Sequence, residues 1–361
     1  MAIRENIVSR LRFHAHMFNL INVRMLSRGA TLLAPIFIAG LVTGNAMWFR
    51  VEIATVSAFI AAERSRLAPL GLLLHLLVVG LGFVAMTISA GRPALFVIAS
   101  VLLAIACVAV TAAGTEMRWV GSFTFIPVLY LACVTANDAN GRNLAQLGLL
   151  GLNTLPYLLC AALPVILDAI ISYPAKRCAD RSNSPGWLAV RQVSETPSPG
   201  CFEGMIAAAL AVGVAASLVE WHHVHYAQWL VWSAASVVTG DVATACAKWK
   251  DRMMGAMVGV PAGMLVGIFM PHAPLLSDVL TAALALTLVA FNQYVIAFGT
   301  RCALHAVAII VAGHALFSTD DRAINVGIGS MIGIVFVLGT NLIRRSLKGR
   351  WHRAVFGPHH R

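Results

Sequence analysis

The sequence predicts an all-α integral membrane protein of about twelve transmembrane helices, arranged as two parallel six-helix repeats. Three observations carry that expectation. Of 361 residues, 59% are hydrophobic and only 11% charged, and the mean hydropathy is +0.81. A soluble domain carries roughly 25% charged residues, and a chain this apolar could not cover its surface in water. The apolar runs are long and continuous rather than alternating at every second residue, which excludes spanning strands. The lysines and arginines sort onto one side of the implied membrane.

About 20 apolar residues are needed per crossing. The spans fall at about 29–47, 48–63, 70–90, 94–113, 119–136, 146–171, 204–220, 227–245, 253–270, 275–292, 294–316 and 324–342. Residues 1–28 carry five arginines, with Ile3, Ile7, Leu11, Phe18, Ile21 and Met25 near helical spacing, and read as an amphipathic segment in the cytoplasmic interface. They hold no apolar core of the kind a cleaved leader requires. The first six-helix unit occupies 29–172, and 173–203, rich in Pro, Ser and Gly, reads as a cytoplasmic linker. The second unit occupies 204–343, and 344–361 is a basic cytoplasmic tail.

With the N-terminus inside, 22 of the 26 lysines and arginines lie on the inner side and only Arg50, Arg92, Arg142 and Arg322 outside. One missed span would scramble every later loop, so this asymmetry favours a bacterial inner-membrane protein with both termini cytoplasmic. The net charge of +11 then orients the chain and contacts anionic lipid, and no nucleic acid is needed to explain it. The seven cysteines contain no C-x-x-C pair, so neither a disulfide framework nor a zinc site is expected.

The two halves echo each other. Trp48 and Trp229 open the second and eighth spans, 181 residues apart, and Glu63 and Asp241 are 178 apart. Pro93 and Pro274 are 181 apart, and Asp138 and Asp320 are 182 apart. A shared offset of half the chain argues for duplication. Six spans per unit give the copies the same orientation, a transporter architecture with its pathway near the repeat interface.

The run from Tyr226-Ala-Gln-Trp229 to Lys250-Asp-Arg252, with Gly255, Gly259 and Pro261 following, resembles the fusaric acid resistance-like (FUSC) family of bacterial aromatic-acid exporters. Arg252, Gly255 and Gly259 fit its R-x-x-G-x-x-x-G helix start; in the first half Trp48 and Gly80 fit, but His75 stands near the place of the arginine. Longer relatives carry a large cytoplasmic domain where this chain has only the linker. The resemblance implies proton-driven efflux of small organic anions alongside a periplasmic adaptor protein, with no cofactor.

An ionisable group in a span costs roughly 2.5–3.5 kcal/mol on insertion scales, so each needs a reason. Glu52 and Glu63 are eleven residues apart and share one helix face with Trp48. They read as proton-coupling carboxylates; the alternative pairs Glu52 with Arg50 or Arg92 and lets Glu63 reach the interface beside Arg64 and Arg66. Asp241, within the expected eighth span and matching Glu63 in the first half, is the leading coupling candidate, ahead of Glu63 and Glu52. Arg252, Arg301 and His305 are candidate anion-binding or gating groups, and Trp48 and Trp229 pathway aromatics. Arg252 and Arg301 read alternatively as inner anchors, and His305 and His75 as helix-packing histidines. His222, His223 and His225 lack the helical spacing of a metal site, and no metal is expected. No phosphate-binding G-x-x-x-x-G-K-[ST] loop and no catalytic triad pattern occurs, which argues against ATP drive within the chain and against an enzyme.

The leading expectation is a secondary exporter of small aromatic or other organic anions. A passive anion channel and a non-transporting assembly protein are the alternatives, and association with a second copy of the chain stays open. Reporter fusions at Asp138, Ser182 and Asp320 should read outside, inside and outside; an outside reading at Ser182 refutes the two-times-six topology.

Overall fold

The structure is a computed structural model and describes residues 20–138, 144–179, 201–224, 226–238, 241–313 and 317–355. The first nineteen residues, the linker core 180–200, His225 and Gly240 lie outside them, as do the side chains of Asp138 and Asp320. Among the described residues twelve α-helices follow one another. The first six are α1 Val23–Thr43, α2 Met47–Arg64, α3 Pro69–Ser89, α4 Pro93–Ala109, α5 Arg118–Asp138 and α6 Leu144–Ala179. The second six are α7 Cys201–His222, α8 Ala227–Val237, α9 Val242–Ile268, α10 Pro274–Ala290, α11 Tyr294–Val311 and α12 Phe317–Val355. Pro69, Pro93 and Pro274 open α3, α4 and α10, where a missing N–H costs nothing and the fixed φ suits the first turn.

Eight helices are long and apolar enough to cross a membrane: α1, α3 to α7, α11 and α12. The protein is an all-α, multi-pass membrane protein. On α3, Leu70, Leu73, Leu74, Leu77 and Leu81 form an outward stripe that only lipid could cover without cost. The helices that fall short of this measure include the two most enclosed. Every residue of α2 from Val51 to Ala62 is buried, and on α8 so is every residue from Gln228 to Ala234. A helix wrapped by other helices need not be apolar enough for lipid, so low hydropathy here marks centrality.

Helix pairings recur at a step of six. α1·α2, α2·α6, α3·α5, α3·α6 and α4·α5 pack together, and so do α7·α8, α8·α12, α9·α11, α9·α12 and α10·α11. Between the halves, α4 packs on α7 and α10 on α1. Small residues set the closest approach. A Cβ on Gly255, Gly259 or Gly263 would run into the backbone of Gly299 or Ala303 on α11, as the small-residue spacing in α9 predicts. Gly329 and Gly333 of α12 sit equally close to the backbone of α8 at Leu230 and Ala234.

Several boundaries differ from the sequence reading. α1 starts at Val23, where the Asn22 side chain accepts from the Met25 N–H at 3.1 Å. The eighth helix stops at Val237 rather than near 245, and α9 starts at Val242 instead of 253. Asp241 therefore lies at the start of α9, not inside an apolar helix, and Lys248, Lys250 and Arg252 are helical rather than in a loop. α12 begins at Phe317, which makes Arg322 a buried helical residue and not an outer-loop cation. Residues 344–355 of the expected tail continue that helix. An isolated antiparallel bridge joins Ile21 to Phe291, with Asn22 N donating to Ala290 O at 2.8 Å and Asn292 N to Leu20 O at 2.9 Å. The tenth and eleventh helices thus part where the segment before α1 satisfies the exposed backbone.

Overpacking of a close contact costs about 1–3 kcal/mol. Gly259→Ala should lower the melting temperature of the purified protein by several degrees, whereas Gly339→Ala, which meets open space, should leave it unchanged. Thermal unfolding in detergent checks both, and equal melting temperatures would remove the close α9·α11 approach as a determinant of stability.

Candidate functional site

A cavity of about 230 Å³ lies where the two halves meet. Its walls come from α2 (Phe49, Arg50, Glu52), α5 (Tyr130), α8 (Trp229, Trp232), α10 (Thr281, Leu288) and α11 (Arg301, His305). Tyr226 stands at its rim with φ +56, a left-handed backbone that a non-glycine residue holds only when its surroundings fix it. The cavity therefore gathers four residues singled out from the sequence: Glu52, Trp229, Arg301 and His305.

Glu52 is 1% exposed, and both carboxyl oxygens are buried without a hydrogen-bond partner. Asp278 of α10 is close enough to act on it electrostatically. Neither Arg50 nor Arg92 forms an ion pair with it, so the interfacial pairing considered for Glu52 is absent. Arg301 is 6% exposed, and its Nε donates to Thr287 Oγ1 at 3.0 Å. His305 meets the Trp229 ring edge-on at 5.3 Å, and its Nε2 is buried without a partner. Trp229 stacks on Trp232 at 5.1 Å, giving the cavity an aromatic wall.

Other candidates stand elsewhere. Glu63 accepts from Arg28 Nη1 at 2.9 Å, and Arg28 Nη2 reaches Asp168 Oδ2 at 2.7 Å. The same guanidinium lies over the Phe59 ring at 5.4 Å. Glu63 thus belongs to an ion cluster joining α1, α2 and α6, and it is not beside the cavity. Trp48 packs edge-on against Tyr157 of α6 at 4.9 Å, and Asn45 Nδ2 donates to the Tyr157 hydroxyl at 2.9 Å. The two tryptophans that open the central helices face different surroundings. His75 bonds to Thr124 at 3.1 Å between α3 and α5, as a packing histidine does.

Arg252 is buried with its donors engaged by hydroxyls. Nη2 donates to Ser233 at 2.7 Å, Nη1 to Ser236 at 2.7 Å and to the Tyr294 hydroxyl at 3.2 Å, and Nε to Ser330 at 3.2 Å. Phe298 lies 4.5 Å beneath its guanidinium. This arrangement ties α9 to α8, α11 and α12 through hydroxyl groups.

Asp241 is exposed at the N-cap of α9, where Thr244 donates to Oδ2 from its N–H at 2.9 Å and its hydroxyl at 2.8 Å. It lines a smaller cavity of about 140 Å³ with Glu203, Asn341, Arg344 and Arg345. The bond from the Thr244 N–H, then that from its hydroxyl, holds the Asp241 carboxyl below the usual carboxylate range.

The sequence reading missed Tyr130, Tyr226, Trp232, Asp278 and Arg322. Arg322 is 2% exposed, with its guanidinium 3.7 Å over the Trp229 ring. A signal for it was present: Arg322, Asn325, Gly329, Ser330 and Gly333 make a small and polar stripe at helical spacing.

Residues 214–336 match the family model described as fusaric acid resistance protein-like, about a third of the chain. The match covers α8 to α11, with Trp229, Asp241, Arg252, Arg301, His305 and Arg322, and bears out the resemblance read from Trp229, Arg252, Gly255 and Gly259. No curated protein and no solved structure matches the chain.

The cap sets a test. Asp241→Asn preserves an acceptor and should leave stability near wild type, whereas Asp241→Ala should cost about 1 kcal/mol. Because the folded carboxyl titrates below its unfolded value, its contribution is full above the ordinary carboxylate range and fades as pH falls through the lowered one. The gap between the Asp and Ala proteins, measured by thermal unfolding, should therefore narrow only in strong acid.

Proposed function

We propose that the protein is a secondary exporter of small aromatic or other organic anions in the bacterial inner membrane, driven by protons, with both termini cytoplasmic and two parallel six-helix repeats. The observation that carries the proposal is the cavity between the halves, in which an unpartnered Glu52 shares a chamber with Arg301, His305 and stacked tryptophans. Its volume of about 230 Å³ lies just below the range of roughly 300–1,000 Å³ typical of small-molecule sites, in keeping with a substrate of one ring or less. Helix pairings that recur at a step of six, and the family match over 214–336, support the same reading.

Glu52 is the proton-carrying group in this scheme. Enclosed without a partner, a carboxyl is better held neutral, and opening to water on either side lets it ionise. A carrier that returns inward with Glu52 protonated and moves outward with Glu52 ionised and an anion in the cavity exchanges one for the other. Glu63 and Asp241, on the inner side of this topology, are the groups past which a released proton leaves. A periplasmic adaptor protein as partner belongs to this reading through the family resemblance.

Glu52→Gln keeps the shape of the side chain and removes its titration. Proton-driven efflux of benzoate from cells, or its uptake into everted vesicles, should fall at least about tenfold, equivalent to about 1.4 kcal/mol at the affected step. Exchange of labelled for unlabelled benzoate, which needs no coupling, should persist. Normal coupled flux in Glu52→Gln at equal protein level would overturn the assignment, and wild-type flux indifferent to an uncoupler would favour a channel.

A further inference from the structure

We infer that the carboxylate of the transported anion is held by Arg322, a residue that the cavity does not expose, and that the Trp229 indole is the shutter between them. This inference rests on the reading of the cavity as the substrate site.

Three arginines are buried around α8, and they differ in what their donors meet. Arg252 is engaged by Ser233, Ser236, Ser330 and Tyr294, and Arg301 gives its Nε to Thr287. Arg322 has Nε and Nη1 buried with no partner. A guanidinium keeps its charge in proteins, so it cannot relieve the cost of burial by losing a proton. The Trp229 face 3.7 Å away compensates part of that cost but satisfies no N–H.

The unpartnered atoms form one group. Trp229 Nε1 and His305 Nε2 are also buried without partners, and the two rings lie 5.3 Å apart. The Arg322 and Trp229 atoms can only donate, and His305 Nε2 donates in one tautomer. Such a group calls for an acceptor-rich occupant. The free Nε and Nη1 lie on different edges of the guanidinium, and a carboxylate oxygen reaching either edge gains a charge-assisted hydrogen bond. Glu52 sits on another wall of the same cavity and would turn an anion away from itself, toward this side.

Trp229 lines the cavity and Arg322 lies against its ring, so the indole stands between substrate and cation. α8 itself is braced by Arg252 through Ser233 and Ser236, so the part that would move is the indole, by rotation about its own side-chain bonds.

The test uses the purified full chain, with benzoate as probe and benzamide as its uncharged isostere. Wild type should prefer benzoate by at least tenfold in calorimetry, and Arg322→Gln should reduce benzoate binding to the benzamide level while Arg322→Lys retains part of the preference. Trp229→Phe should keep binding but lose most of the benzoate-induced change in tryptophan fluorescence, which tests proximity even where Arg322→Gln fails to fold. Wild-type preference in Arg322→Gln, or an undiminished fluorescence change in Trp229→Phe, overturns the inference. If Arg301→Gln alone abolishes the preference, the cavity reading stands and the Arg322 assignment falls. If wild type binds benzoate no better than benzamide, the cavity reading falls and takes this one with it.

Discussion

The structure depends on one constraint: an ionisable side chain in a lipid-spanning protein must be kept from lipid by other helices. α2 carries Glu52 and α8 stands against Arg252 and Arg322, and these two helices are the ones most completely wrapped by their neighbours. The outer helices supply the apolar surface, visible in the leucine stripe of α3. Close approach of α9 to α11 and of α12 to α8 depends on glycine, because a methyl group at Gly259 or Gly329 would meet backbone. The polar centre and the glycine seams are therefore two sides of the same arrangement.

The halves share a plan but divide the chemistry. At the common offset of 181 residues, Glu52 of α2 corresponds to Ser233 of α8. Ser233 is one of the hydroxyls that receive Arg252, whereas nothing receives Glu52. One half thus keeps an unsatisfied acid, and the other has a hydroxyl at the matching place that belongs to a cation site.

Much of this was legible in the sequence because lipid imposes length and apolarity on every crossing, and each described helix overlaps a run that hydropathy marks, although the bounds of α8, α9 and α12 differ. The place of the break between α8 and α9 was not legible. Apolar residues continue through it, and the stop depends on a local cap from Asp241 to Thr244 that a hydropathy window averages away. Arg322 was misread because a cation near the end of a span normally belongs to a loop, and only the stripe it shares with Gly329 and Gly333 tells otherwise. Glu52 was identified through its shared face with Trp48, yet Trp48 turned toward Tyr157. Helix phase fixes which residues lie together on one helix, but the identity of the facing helix is a tertiary fact. The roles expected for the linker core and His225 fall outside the described residues.

The bridge between Ile21 and Phe291 bears on how the chain is assembled. Its first residue is made before α1, and its partner exists only after α10 has been synthesised. During biogenesis the backbone of Leu20 and Asn22 must wait in water or at the headgroups while the helices up to α10 are made, because neither group can enter lipid unpaired. Joining of Ile21 to Phe291 is thus a late event, and a ribosome stalled before Phe291 would leave α1 without this anchor, as would separate expression of the first half.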